Sequence, residues 1–382
     1  MRKILICILI AVVCFSGTQI AFGQEFELEC EAALLMEPVT GKVVFEHEAH
    51  KPFPIASITK VMTLLLAVEA IEEGKVSLDD MVVASQRAAE MGGSQIFLEK
   101  GQKVSLENLL IAVASGSAND ASVAVAEHVG TSVEGFVEDM NAKARELGMK
   151  NTNFLNPSGL PIDEEENLST AYDVALVSRE LLKYPMVHKW ATVEWDTEFL
   201  GDVYLSNTNL KFLINYPGAD GLKTGWTTKA GHCISATALR DDTRFLAVIL
   251  KSPSPDQRLK ETSQLLNYGF GNYKTQTLHT QGESIKTIEV EKGSKSTVDV
   301  KAKDNISLLL DKKQEGEIST NIDLPKRLNA PISNGETVGV LEVKRDGTVI
   351  EKFDLIVEEE ITQAGTFQLF GRSLKELLRT VR

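Results

Sequence analysis

The chain has 382 residues, 43% of them hydrophobic and 25% charged, with a formal net charge of −14. That length exceeds one typical domain, and that apolar fraction is enough for a real core. The acidity argues against a nucleic-acid partner, and no G-x-x-x-x-G-K-[ST] or G-x-G-x-x-G loop offers a phosphate cradle.

The first 23 residues read as an export signal. Arg2 and Lys3 form a charged start, Ile4 to Phe15 is a short apolar run, and Ala21 and Gly23 set a cleavage pattern before Gln24. An uncleaved anchor helix is the competing reading, but the run is short for a bilayer. Cleavage would remove Cys7 and Cys14 and leave the mature chain two charges more acidic. The remaining Cys30 and Cys233 either pair or sit buried as small apolar residues; sequence leaves both open. They are too few for a zinc site, and "HEAH" at His47–His50 lacks H-E-x-x-H spacing, so no metal and no cofactor are expected.

Residues 33–46 predict a hairpin around a Pro-Val-Thr-Gly turn. In "FPIASITKVMT", Pro54 ends what precedes, and Ile58, Val61, Met62, Leu65 and Leu66 recur at helical spacing. Ser105 is placed to cap a helix carrying Leu106, Leu109, Leu110 and Val113. Further helices are expected over Ala121–His128 and from Val133 to Leu147, the latter stopped by Gly148. "NTNFLNPSGLP" reads as a loop, Glu164 to Glu166 as a solvated acidic run, and Ser169 as the cap of a helix reaching Lys183. "GHCISATALR" and "TRFLAVILK" predict an antiparallel pair joined at Asp241-Asp242, followed by a helix in "DQRLKETSQLLNYGF".

From about Gln276 the chain turns to short alternating strands, ending in a hairpin about Asp346-Gly347. The last segment places Phe367, Phe370, Leu374, Leu377, Leu378 and Val381 on one helical stripe, with Arg372, Lys375, Arg379 and Arg382 off it. Such a basic amphipathic helix suits an anionic membrane surface; docking on its own β domain is the less favoured reading.

Three short motifs carry chemistry. Ser57 and Lys60 are one helical turn apart, a hydroxyl beside an amine, at the chain's single S-x-x-K. Ser117-Ala118-Asn119 follows; Ser115 competes with Ser117, but only Ser117 has asparagine two residues on. Lys223-Thr224-Gly225 comes third. Each alone is weak, but all three in this order behind an export signal are hard to obtain by chance.

On these motifs the sequence resembles the serine-type penicillin-binding proteins, and within them the low-molecular-mass D-alanyl-D-alanine carboxypeptidases. "TGKVVFE", "SANDASVAVAEHV", "ELGMKNTNFLNPSGL", "STAYDVALVSREL" and "DGLKTGWTTKAGHCISATA" are similar to family segments in family order. The resemblance implies an α/β (α+β) transpeptidase-like domain over 25–274, an antiparallel sheet flanked by helices. A sandwich-like β domain over 275–363 and an amphipathic anchor helix over 364–382 would follow.

It further implies Ser57 as nucleophile, Lys60 as base, and Ser117 as proton relay to the leaving D-alanine. Asn119 would hold the substrate amide, and Lys223 would be a nearby cation. The Ser57 and Trp226 amides would form an oxyanion hole. Thr224, beside Gly225, would bind the terminal carboxylate, with Arg258 near it. Lys60 can serve as base only if burial or a neighbouring cation lowers its pKa. Trp226 departs from the Tyr or Phe common after this motif, which bears on the pocket rim. Peptidoglycan peptide stems and β-lactams are the implied partners, and the outer face of the cytoplasmic membrane or the periplasm the implied location.

Two rival readings compete with this one. A β-lactamase shares the motifs, but "EEENLS" matches an E-x-x-L-N pattern only superficially and the extra β domain argues against it. A catalytically dead wall-binding protein is disfavoured by the intact Ser57, Lys60, Ser117, Asn119 and Lys223.

Overall fold

The computed structural model describes residues 27–366 except 202, together with 368 and 370. The signal expected over 1–23, and most of the anchor helix expected over 364–382, lie outside the described residues. Among the described residues no helix is long and apolar enough to cross a membrane.

Five antiparallel strands form the central sheet: β1 Ala32–Glu37, β2 Lys42–His47, β3 Ala219–Thr227, β4 Gly231–Arg240 and β5 Thr243–Ser252. Their spatial order is β2-β1-β5-β4-β3, so the N-terminal hairpin docks on the C-terminal meander, with Ala32 opposite Leu250. Asp241 and Asp242 join β4 to β5 with φ of 46° and 62°, the left-handed pair that a tight two-residue hairpin demands.

Side-chain alternation sends the two faces of this sheet to different cores. Leu34, Met36, Leu246 and Val248 face a helical layer. Its members include α1 Lys60–Glu72, α2 Asn119–Val129, α3 Val133–Glu146 and α4 Ala171–Leu181. Ala33, Leu35, Ala247 and Ile249 face the other way, onto Leu265 and Leu266 of α5 Pro255–Asn272. Ser254 caps α5 by accepting from the Gln257 amide at 3.1 Å, with proline at the first turn. α1 is buried nearly all round, so it forms the centre of the helical layer.

Two expectations need correction. The cap of α4 is Thr170, whose hydroxyl accepts from the Asp173 amide at 3.0 Å. Ser169 lies one residue too early; it pairs with Phe53 in a two-residue ladder and its hydroxyl bonds Thr152 at 2.7 Å. The acidic run is not wholly solvated either: Glu166 is only 8% exposed. Cys30 and Cys233 are both buried and free.

α5 leads directly into strand Tyr273–His279, which pairs with Ile306–Asp311. The other C-terminal strands form a six-stranded sheet with its own core, including Val300, Leu308, Leu341 and Leu355. Its last hairpin turns at Asp346 and Gly347, with φ of 49° and 80°. Polar contacts join the two units: Thr275 Oγ1 donates to the buried Glu37 carboxylate at 3.1 Å, and Lys42 bonds Glu351 at 3.3 Å.

Candidate active site

The chain enters the site through Phe53 and Pro54, then bends at Ala56, whose φ is +47°. A 3₁₀ turn, Ala56–Thr59, carries Ser57 and runs straight into α1. Lys60, the first residue of α1, is fully buried. Its Nζ lies 3.0 Å from Ser57 Oγ, 2.7 Å from Asn119 Oδ1 and 2.6 Å from the Ser158 carbonyl oxygen.

Burial, and then the charge of Lys223, press the Lys60 pKa well below the usual lysine value, against an opposing pull from Asp120. The neutral amine has two hydrogens and one lone pair. The Ser158 carbonyl can only accept, and Asn119 Oδ1 can only accept. Both hydrogens are therefore committed, and the lone pair is left for the Ser57 hydroxyl. The surroundings thus turn a general donor into an acceptor aimed at one oxygen.

The orientation of Asn119 is fixed from its other end, where Nδ2 donates to the Gly92 carbonyl at 2.7 Å. Its backbone amide donates to the Ser94 carbonyl, also at 2.7 Å. The neighbouring Asp120 carboxylate, fully buried, accepts from the amides of Ile96, Leu98 and Ala121. Asn119 and Asp120 together pin the 92–98 segment over the site.

Ser117 closes a π-type turn, Ala112–Gly116, in the left-handed conformation (φ 60°, ψ 28°). It stands two residues before Asn119 and makes no hydrogen bond to Ser57 or Lys60. Ser115 is taken up by structure: its hydroxyl donates to the Ile111 carbonyl at 2.8 Å within the preceding turn.

β3 supplies the opposite wall. Lys223 is buried and donates to the Thr224 carbonyl at 3.0 Å; burial, and secondarily Arg258, lower its pKa to about 7. The Thr224 hydroxyl donates to that of Thr208 at 2.8 Å. Gly225 faces the turn that carries Ser57 so closely that a Cβ would stand 2.8 Å from the Ile55 carbonyl oxygen and 3.1 Å from the Ser57 amide nitrogen. Trp226 is 60% exposed, its ring 6.0 Å from that of His232.

Arg258, on the first turns of α5, is 9% exposed. It donates to the Cys233 carbonyl at 3.3 Å, its Nε has no partner, and it pairs with no carboxylate among the described residues. A buried guanidinium with an idle donor suits an incoming anion.

Sequence reasoning missed a third wall. Asn156 Oδ1 accepts from the amides of Ser158 and Gly159, folding the tight turn that aims the Ser158 carbonyl at Lys60. Asn167 braces it, donating to Thr59 Oγ1 at 2.8 Å and to the Asn156 carbonyl at 2.9 Å. Gly159 (φ +79°) passes the Ser57 turn where a Cβ would lie 1.9 Å from the Ala56 carbonyl oxygen. The Asn-Pro-Ser-Gly string signals a turn, but nothing in it points to the lysine. Between these walls opens a cavity of ≈700 Å³, whose lining includes Ser57, Ser94, Asn119, Glu166, Trp226 and Thr227. Among the described residues no three His, Cys, Asp or Glu side chains are grouped to hold a metal ion.

The Peptidase S11 family model, described as D-alanyl-D-alanine carboxypeptidase, matches residues 19–254. The C-terminal domain of penicillin-binding protein 5 matches 273–363. D-alanyl-D-alanine carboxypeptidase DacF of Bacillus subtilis is 35% identical, over 98% of this chain and 98% of its own. Penicillin-binding protein 5 of Haemophilus influenzae superposes with a TM-score of 0.74 at 28% identity, over 89% of this chain and 100% of its own. Penicillin-binding protein D2 of Listeria monocytogenes, in its ampicillin-bound form, superposes with a TM-score of 0.59 at 30% identity, over 65% of this chain and 100% of its own.

Proposed function

The chain belongs to the Peptidase S11 family of D-alanyl-D-alanine carboxypeptidases, and from that membership we propose how its own residues remove the terminal D-alanine from peptidoglycan stems. The observation that carries the proposal is the lone pair of Lys60, left by its two committed hydrogens for Ser57 alone.

The Ser57 hydroxyl gives its proton to Lys60 as Oγ bonds the scissile carbonyl carbon. The carbonyl oxygen becomes an oxyanion, which the Ser57 and Trp226 amides stabilise. The C–N bond then breaks, and the departing amine of D-alanine takes a proton through Ser117. Water hydrolyses the Ser57 ester, its proton returning by the same route. Asn119, held by Gly92, positions the substrate amide. Lys223, Thr224 and Arg258 receive the terminal carboxylate, and the idle Arg258 Nε–H supports that assignment. A penicillin follows the first half of this path: Ser57 opens the lactam ring, but the cleaved amine stays tethered.

Export by the 1–23 segment and attachment to the outer face of the membrane by a 364–382 helix complete the proposal, on the sequence pattern alone. The decisive assay incubates the purified chain with a pentapeptide ending in D-Ala-D-Ala and measures released D-alanine. Mapping of a penicillin adduct should find it on Ser57, and labelling that persists in Ser57→Ala would refute the assignment.

A further inference from the structure

We propose that Glu166 is a specificity-determining residue that selects stem peptides carrying a free ammonium on the third residue from the C-terminus. The inference rests on the placement of the carboxylate subsite given above.

Glu166 lines the same cavity as Ser57. Its carboxylate is held by the Thr227 hydroxyl, which lies 3.0 and 3.1 Å from its two oxygens, while Thr227 Oγ1 accepts from the Ala230 amide at 2.9 Å. The carboxylate is thus fixed in position by a neutral donor. It has no ion pair among the described residues, although only 8% of the residue is exposed. A buried carboxylate without a countercharge is costly to keep, and a bound cation would offset that cost.

The other charged groups on this wall do not supply that cation. The Lys229 ammonium turns to the neighbouring acid, donating to the Glu164 carbonyl at 2.6 Å and lying 3.9 Å from its carboxylate. The remaining basic side chains, Lys60, Lys223 and Arg258, belong to the proposed catalytic floor and its anion-binding end. β3 therefore runs from a cationic end at Lys223 to an acidic end at Thr227.

The spacing fits an extended peptide. From Thr224, where the terminal carboxylate binds, to Thr227, which holds Glu166, is about 10 Å at roughly 3.3 Å per residue. An extended substrate with its carboxylate at Thr224 places its third residue two positions back along this wall. A side chain of lysine length then covers the rest of the distance to Glu166. Acetylating that amine removes its charge while leaving the scissile bond unaltered.

The test compares Nα-acetyl-L-Lys-D-Ala-D-Ala, with a free ε-amine, against the Nα,Nε-diacetyl peptide. The full chain should show kcat/KM at least about fivefold higher for the free amine. Glu166→Gln keeps the size and can still accept from Thr227, so it removes the charge and spares the tether. The preference ratio should then fall toward one, chiefly through KM for the free-amine peptide. A wild-type chain indifferent to acetylation overturns the inference whatever the variant does. So does a Glu166→Gln enzyme that slows on both peptides in parallel, which is the signature of a structural role. No D-alanine from either peptide with wild-type enzyme would refute the catalytic reading itself, and this inference with it.

Discussion

Lys60 Nζ and Asn119 Oδ1 stand 2.7 Å apart, and the far end of the same amide is tied to the Gly92 carbonyl. Lys60, the proposed base, is thus held by a group that cannot rotate. Asn119→Asp would place a negative charge against Lys60 and raise its pKa. Lys60 acts as base only when neutral, so the acidic limb of the penicillin acylation profile should move to higher pH. Acylation rate measured from pH 5 to 10 reads this directly.

Asp120 acts on the same lysine in the opposite sense. Its charge favours the ammonium form of Lys60. Asp120→Asn should therefore move the acidic limb to lower pH. It also sets an NH₂ against amides that now donate to carboxylate oxygens, costing about 1–3 kcal/mol of stability. Opposed shifts from adjacent substitutions would be hard to produce by general loosening. Shifts of the same sign would count against Lys60 as the titrating base.

Gly225→Ala should impair acylation more than any conservative change on β3. The added methyl meets the Ile55 carbonyl at 2.8 Å and the turn that carries Ser57. Overpacking of this kind costs about 1–3 kcal/mol, and here relief has to come from displacing Ser57. Thermal melting together with acylation kinetics would show a rate loss exceeding what the stability change explains.

Lys223 is a site where function opposes stability. Its folded pKa, about 7, lies below the ordinary lysine value of 10.5. Folding therefore favours the neutral amine. Above pH 10.5 the group imposes no penalty. As pH falls from there to 7 the unfolded chain gains the proton first and stability declines, levelling off below 7. Lys223→Met should raise the melting temperature at pH 6–7, with the gain shrinking toward pH 10, while peptide turnover is lost. A variant less stable at pH 6 would contradict this.

Truncation after Thr362 should release the protein from anionic vesicles, leaving turnover of small D-Ala-D-Ala peptides intact. Co-sedimentation of full-length and shortened chains, with and without high salt, tests the anchor. Equal sedimentation of both would refute it.

The proposed site residues were legible as motifs because their chemistry constrains residue type at fixed local spacing: Ser57 with Lys60, Ser117 with Asn119, Lys223 with Gly225. Hairpins at Asp241-Asp242 and Asp346-Gly347 were legible for a similar reason, since left-handed turns restrict composition. What escaped was set by distant partners. Glu166 reads as a solvated acid until Thr227, 61 residues further on, is seen to bury it. The role of Ser158 is carried by a backbone carbonyl, which no side-chain pattern reports. Ser169 and Thr170 are both competent caps, and only the ladder with Phe53 decides between them.

Pairing β1 with β5 has a consequence for biogenesis. The chain leaves the ribosome, and would cross the membrane, N-terminus first. Its first strand must then wait for Leu250 and its neighbours before the sheet can close. Ser57 likewise emerges long before the strand whose Gly225 shapes its turn. Contacts so distant along the chain delay folding. A partly exported chain would therefore present Ser57 without the wall that shapes its turn, and under the proposed mechanism hydrolysis would begin only once the whole sheet had arrived outside.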